Sequence, residues 1–148
     1  MGRFVVGIES TAHTFSVAVA SREGKILSDV REVYSPPEGS GIHPYLASLS
    51  HARAAPRVLR DALLTSGVAE GDIDAVAYSM GPGLGPCLRV GAVVARSLAL
   101  SLGKPIVPVN HAIGHIELGC LLTGTEDPLV LLVLDLLRFL HSQATSSS

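Results

Sequence analysis

Tryptophan is absent and aromatic side chains make up 4% of the 148 residues, so the core must be built from Val, Leu, Ile and Ala. Charged residues are scarce too, at 16% against 47% hydrophobic, which excludes disorder for most of the chain. Neither sign of charge dominates: the formal net charge is −2 with the six histidines neutral. A protein that grips RNA unaided normally carries a basic surface, so any RNA-binding role here would need part of its grip from elsewhere. The two cysteines, Cys87 and Cys120, match no CxxC spacing and are expected to be free thiols in a reducing compartment. The longest apolar stretch, residues 129–140, is broken by Asp135 and Arg138 and is too short to span a bilayer. Residues 1–9 show neither the apolar run nor the cleavage site of a signal peptide. The expectation is a cytoplasmic chain with no membrane role, of a length that suits one domain.

What is present is an alternation of short apolar runs and helical patterns. Residues 4–8 and 15–20 are apolar runs separated by a polar bend, and a turn at Glu23-Gly24 leads into residues 25–33. Three strands with tight connections fit this better than a helix. Prolines and glycines make residues 35–41 a loop. From 46 to 66 the pattern turns helical, with Leu46, Leu49, Ala52, Pro56, Leu59 and Leu63 recurring every three or four positions. Pro56 is expected to kink or interrupt this helix, and Gly67 to end it. A strand over 74–79, a glycine-proline loop over 80–86, a helix over 87–102, a strand over 105–109, a helix over 111–122 and a strand from 129 complete the reading. The order β-β-β-α-β-α-β-α-β gives an α/β fold with a mixed sheet and helices packed on it. It describes one lobe of the ribonuclease-H-like, actin-type ATPase (ASKHA) fold.

Three segments carry possible chemistry. In Asn110-His111-Ala112-Ile113-Gly114-His115 the two imidazoles lie four residues apart, so on a helix they share a face and can reach one metal ion. Two surface histidines on an amphipathic helix would look the same. Ala112 stands where the HExxH peptidase pattern has its Glu, which disfavours zinc-peptidase chemistry. The loop Gly81-Pro82-Gly83-Leu84-Gly85-Pro86 runs from strand to helix, where backbone N–H groups and the helix dipole suit an anion. A rigid structural turn is the alternative, and the loop is neither a Walker loop nor a GxGxxG fingerprint. Arg89, one turn on, could meet a phosphate or form a surface ion pair. The bend Glu9-Ser10-Thr11-Ala12-His13-Thr14 offers hydroxyls, backbone donors and a strand-end carboxylate, although a generic hairpin has the same composition. His43 and His51 are expected to be caps or surface residues.

Taken together, Gly7-Ile8-Glu9-Ser10-Thr11-Ala12-His13-Thr14, Gly41-Ile42-His43-Pro44, the SMGPGLGPCLRVG of residues 79–91 and the KPIVPVNHAIGHIE of residues 104–117 resemble the Kae/TsaD family. These are the tRNA threonylcarbamoyladenosine synthases, once named O-sialoglycoprotein endopeptidases, and the likeness is to their archaeal and eukaryotic type. The resemblance implies an ATP-binding, metal-dependent acyltransferase. Such an enzyme passes threonylcarbamoyl from threonylcarbamoyl-adenylate to the adenosine beside the anticodon of tRNA. It further implies that His111 and His115 hold one divalent ion per subunit, iron or zinc, and that Glu9, Ser10, Thr11 and Asn110 line the nucleotide and substrate cleft. The implied partners are tRNA and KEOPS-type subunits, a kinase-like protein and a small dimerising one, in the cytoplasm or, in a eukaryote, also the nucleus.

The match stops after Val133. Leu132 stands where the family has a metal-ligating tyrosine, and Leu134-Asp135-Leu136-Leu137-Arg138 replaces a Ser-Gly-Gly-Asn-Thr phosphate loop. The expected organisation is a first lobe over 1–128, the first strand of a truncated second lobe over 129–133, and a divergent, disordered tail over 134–148. A truncated or frame-shifted copy with impaired transfer, or a non-catalytic one-lobe scaffold of the same complex, would both look like this.

Overall fold

A computed structural model describes residues 4–124. The expectations placed on 129–133 and 134–148 lie outside those residues. The chain divides into two compact units, Met1–Asn110 and His111–Ser148, each described by itself.

In the first unit, β1 (Phe4–Glu9), β2 (Thr14–Ser21) and β3 (Ile26–Val33) form an antiparallel meander. β4 (Ile73–Gly81) and β5 (Ile106–Asn110) extend the other side of β1 in parallel, giving the order β3-β2-β1-β4-β5. The helices α1 (Pro44–Ser66) and α2 (Gly85–Leu102) make the crossovers. This is the mixed sheet of a ribonuclease-H-like, ASKHA-type lobe. The strand pattern follows from a period of two: Val6 and Ile8 on β1, and Phe15, Val17 and Val19 on β2, are at most 3% exposed, while their neighbours are less buried. Each such side chain contributes about 1.5–3 kcal/mol by leaving water. Ala55, Val58 and Ala62 from α1 and Ala95 and Ala99 from α2 close over them, with Ile73 and Val76 of β4.

Two helix expectations need correction. Pro56 lies inside α1, and of the two outcomes expected the interruption does not occur, since α1 runs through it as one helix of 23 residues. Proline removes one backbone bond, but buried residues on both sides of it, His51 and Ala55 before and Val58 and Ala62 after, tie both halves to the core. The buried stripe is also out of phase with the expected one. It consists of Ala47, Ser48, His51, Ala55, Val58 and Ala62, whereas Leu46, Ala52 and Pro56 are exposed and Leu59 and Leu63 are only partly buried at its edge. Small residues let the helix axis approach the sheet, so they, and not the leucines, face inward.

Both helices end as expected on left-handed glycines, Gly67 (φ 65°) and Gly103 (φ 62°). The loop expected over 80–86 is shorter than that, because β4 runs to Gly81 and α2 starts at Gly85. Pro86 falls in the first turn of α2, where its missing N–H costs nothing. By length and composition α2 could cross a bilayer, the only such helix among the described residues; here Cys87, Gly91, Ala95 and Ala99 are buried within the fold.

The second unit is described by one helix, α3 (His111–Thr123), of which Gly119 is buried.

Candidate functional site

Glu9 ends β1, and the parallel register that sets Ile8 against Tyr78 brings Ser79 of β4 beside it. In open α/β sheets ligands bind outside the carboxyl ends of the strands, and this is such an end. The Glu9 carboxylate accepts a hydrogen bond from the Thr11 backbone N–H (2.6 Å) through Oε1 and one from the Ser79 hydroxyl through Oε2. Thr11 in turn accepts the Leu84 N–H on its carbonyl at 2.7 Å. The Ser10 hydroxyl donates to the Cys87 carbonyl at 3.1 Å. Ser10 is 1% exposed and Thr11 5%, so the hydroxyl of Ser10 is committed to the start of α2.

The glycines of the following segment explain themselves at this junction. A Cβ on Gly83 would stand 2.5 Å from the Thr11 carbonyl oxygen, and one on Gly91 2.1 Å from Ser10 Oγ. Both positions need glycine because the bend after β1 presses on the α2 entrance. That is a packing reason for a motif which also has the composition of an anion loop; the Leu84 N–H, one donor of that loop, is taken by Thr11.

α1 closes the junction from its own side. His51 is 1% exposed, its Nε2 lies 2.9 Å from the Ala12 carbonyl, and its ring sits 5.8 Å from that of Phe15. Burial pushes its pKa down from the ordinary value; the bond to Ala12 opposes this, the charge of His13 adds to it and that of Glu9 resists it. This corrects the expectation of a cap or surface residue for His51. His43 does occupy the N-cap position of α1, in exposed surroundings and without a side-chain cap bond. Burial likewise raises the Cys87 thiol, whose Sγ lies 3.7 Å from the Pro44 carbonyl. Both cysteines are free.

Two grooves of this unit lie away from the junction. One, of about 560 Å³ and almost wholly apolar, runs between α1 and α2 and includes Pro56, Leu59, Val93 and the candidate phosphate contact Arg89. The other, of about 570 Å³, includes Glu32, Tyr34, Arg53 and Arg57. Neither is lined by Glu9, Ser10, Thr11 or Asn110. Asn110 ends β5, in register with Gly81 at the end of β4.

In the second unit, His111 and His115 open α3 one turn apart, as their spacing implies. Their ring centroids are 4.5 Å apart and the rings are perpendicular, at 89°. Imidazole suits iron and zinc, but a catalytic zinc site uses three protein ligands. Among the described residues no group of three or more His, Cys, Asp or Glu is placed to hold a metal. Among the described residues, then, the pair stands as two neighbouring imidazoles at the start of α3. Sequence reasoning missed Ser79 and the structural roles of Gly83, Gly91 and His51; the signals that could have found them were the parallel pairing of β1 with β4 and the phase of the α1 stripe.

The sequence matches the family model described as TsaD, tRNA N6-adenosine threonylcarbamoyltransferase, over residues 25–136. A protein of that name from Pyrobaculum islandicum is 56% identical over 129 residues, which are 87% of this chain and 38% of that protein. Its counterpart from Hyperthermus butylicus is 59% identical over 131 residues, 88% of this chain and 36% of its own. Among solved structures, YeaZ from Pseudomonas aeruginosa is similar with a TM-score of 0.56 and 27% identity, over 72% of this chain and 44% of YeaZ. The chain thus spans a little over a third of the length of the curated relatives it matches.

Proposed function

The chain belongs to the TsaD family of tRNA N6-adenosine threonylcarbamoyltransferases, and from that membership we propose that it supplies the first lobe of such a transferase. The observation that carries the reading is the identity of 56–59% to proteins of that name across nearly nine-tenths of this chain. The reaction proposed is attack by the exocyclic amine of the adenosine beside the anticodon on the carbamoyl carbon of threonylcarbamoyl-adenylate. A C–N bond forms, the bond from that carbon to the phosphate oxygen breaks, AMP leaves, and the amine releases a proton.

His111 and His115 would hold the divalent ion, iron or zinc, which when bound supplies Lewis-acid polarisation and a template. Glu9, oriented by Thr11 and Ser79, presents its carboxyl group at the strand ends, suited to fixing a cation or an ordered water beside phosphate. Thr11, through its backbone, sets the position of that carboxylate; Ser10 anchors the bend to α2. ATP or threonylcarbamoyl-adenylate and tRNA are the proposed ligands, and the cytoplasm the proposed compartment, in keeping with the two free thiols. A net charge of −2 fits a role in which KEOPS-type subunits provide much of the hold on tRNA.

A second reading, a binding module that docks without catalysing, is favoured by one observation: no third ligand joins the histidine pair among the described residues. One assay separates the two. The chain is mixed with unmodified tRNA, threonylcarbamoyl-adenylate and Fe²⁺ or Zn²⁺, with and without a separately made segment covering the rest of a full-length relative, and the nucleosides are analysed by mass spectrometry. Modified adenosine that disappears with His115→Ala supports the transferase reading and ends the scaffold one. No product in either mixture overturns transfer.

A further inference from the structure

The proposed function leaves His51 unused, although it is one of the largest fully buried side chains of the molecule. Its ring fills core space beside Phe15, which a leucine would do at less cost, since an imidazole must be desolvated. What an aliphatic residue lacks is the N–H. Ala12 lies between β1 and β2, outside both strands and half-buried, so its carbonyl has no ladder partner, and a carbonyl turned from water needs a donor. His51 Nε2 supplies one across 39 residues of sequence.

The bond sits one residue from the Thr11 carbonyl that accepts the Leu84 N–H, and three from Glu9. From this geometry we infer that His51 is a positioning residue: its hydrogen bond to Ala12 holds the bend after β1 against the α2 entrance, and so fixes the Glu9 carboxylate at the strand ends. The bend is otherwise held by Ser10 on the Cys87 carbonyl, by Thr11 on the Leu84 N–H, and by the His13 carbonyl, which accepts the Tyr34 N–H at 2.7 Å on the β3 side. Without His51, residues 12 and 13 have no anchor toward α1, and the bend opens locally while the sheet persists. The consequence for a ligand rests on the function proposed above; the consequence for the bend does not.

The experiment compares the 148-residue chain with His51→Leu, which fills the space without a donor, and His51→Gln, which presents an N–H at similar reach. Amide hydrogen exchange reports local opening. In His51→Leu the Thr11 and Leu84 amides are expected to exchange about tenfold faster or more, with Val6, Val17 and Val76 in the sheet still protected; His51→Gln restores the slow exchange. Unchanged Thr11 and Leu84 rates in His51→Leu overturn the inference. So does loss of sheet protection in both variants, which would make His51 a packing residue only. A second arm titrates ATP with Mg²⁺ into the same three proteins. Affinity weakened about tenfold by His51→Leu and recovered by His51→Gln, a factor of about 1.4 kcal/mol, extends the role to the ligand. If the unsubstituted chain binds no ATP, the nucleotide part of the functional reading fails, and the amide rates still decide the inference.

Discussion

The contact between Gly91 and Ser10 sets two known effects against each other, and a substitution of Gly91 by Ala decides which one wins. Gly91 lies inside α2, where Gly→Ala by itself stabilises a helix by about 1 kcal/mol. The added Cβ, however, would stand 2.1 Å from Ser10 Oγ and 3.1 Å from Ser10 Cβ. Neither atom is the free end of a long side chain, so relief means turning the Ser10 hydroxyl away from the Cys87 carbonyl or shifting the bend. The lost buried hydrogen bond costs about 1 kcal/mol and overpacking about 1–3 kcal/mol. Gly91→Ala is therefore expected to destabilise by about 1–3 kcal/mol net, lowering Tm by roughly 2–4 °C for each kcal/mol. Urea unfolding followed by circular dichroism measures it directly. Ser10→Ala placed in the same chain removes the closest atom and should recover part of the loss. Gly85→Ala, where a Cβ meets nothing within 4 Å, is the control. A Gly91→Ala chain that is more stable by about 1 kcal/mol would refute the close approach, leaving helix propensity as the only effect.

Three further outcomes follow from the same interactions. Glu9→Ala and Ser79→Ala remove the two partners of one hydrogen bond, so a double-mutant cycle on unfolding free energies should give coupling of about 0.5–2 kcal/mol; additivity would mean the pair does not interact. Phe15→Ala empties a fully buried position and should cost about 3–5 kcal/mol, read as a fall in urea midpoint, a loss under about 1 kcal/mol being incompatible with that burial. Burial lowers the His51 pKa below its ordinary 6.5, so the folded chain binds fewer protons there than the unfolded one. That contribution is complete above pH 6.5 and is lost as pH falls from 6.5 toward the folded value. His51→Gln should flatten the decline in stability between about pH 7.5 and 5.5, and an identical slope in the two proteins would count against the burial.

Much of the fold was legible because its determinants are local. The alternation at Val6 and Ile8, and at Phe15, Val17 and Val19, identifies half-buried strands without reference to anything distant. Glycines 67 and 103 mark helix ends by the left-handed backbone they adopt. Boundaries failed where two signals compete. Gly85-Pro86 has the composition of a loop, yet proline suits the first helical turn, and the same holds for Pro44 at the start of α1. The histidine pair was equally legible, since a spacing of four on a helix leaves little freedom. The Glu9–Ser79 contact was not, because 70 residues separate its partners and only the parallel pairing of β1 with β4 brings them together.

The misplacement of His51 has a more instructive cause. Leu46, Leu49, Leu59 and Leu63 set one helical phase, and hydrophobicity alone prefers it. Positions 47, 48, 51, 55, 58 and 62 set another, one residue away, occupied by Ala, Ser, His, Ala, Val and Ala. A helix lying on a sheet is selected for closeness as well as for apolar area, and the second phase offers the smaller side chains. Once that phase is chosen, His51 must point into the core, and a buried imidazole must find an acceptor for its N–H. It finds one in the Ala12 carbonyl, in the bend after β1. The helix phase, the burial of the histidine and the anchoring of the Glu9 bend are thus one decision of the sequence, made by the alanines of α1.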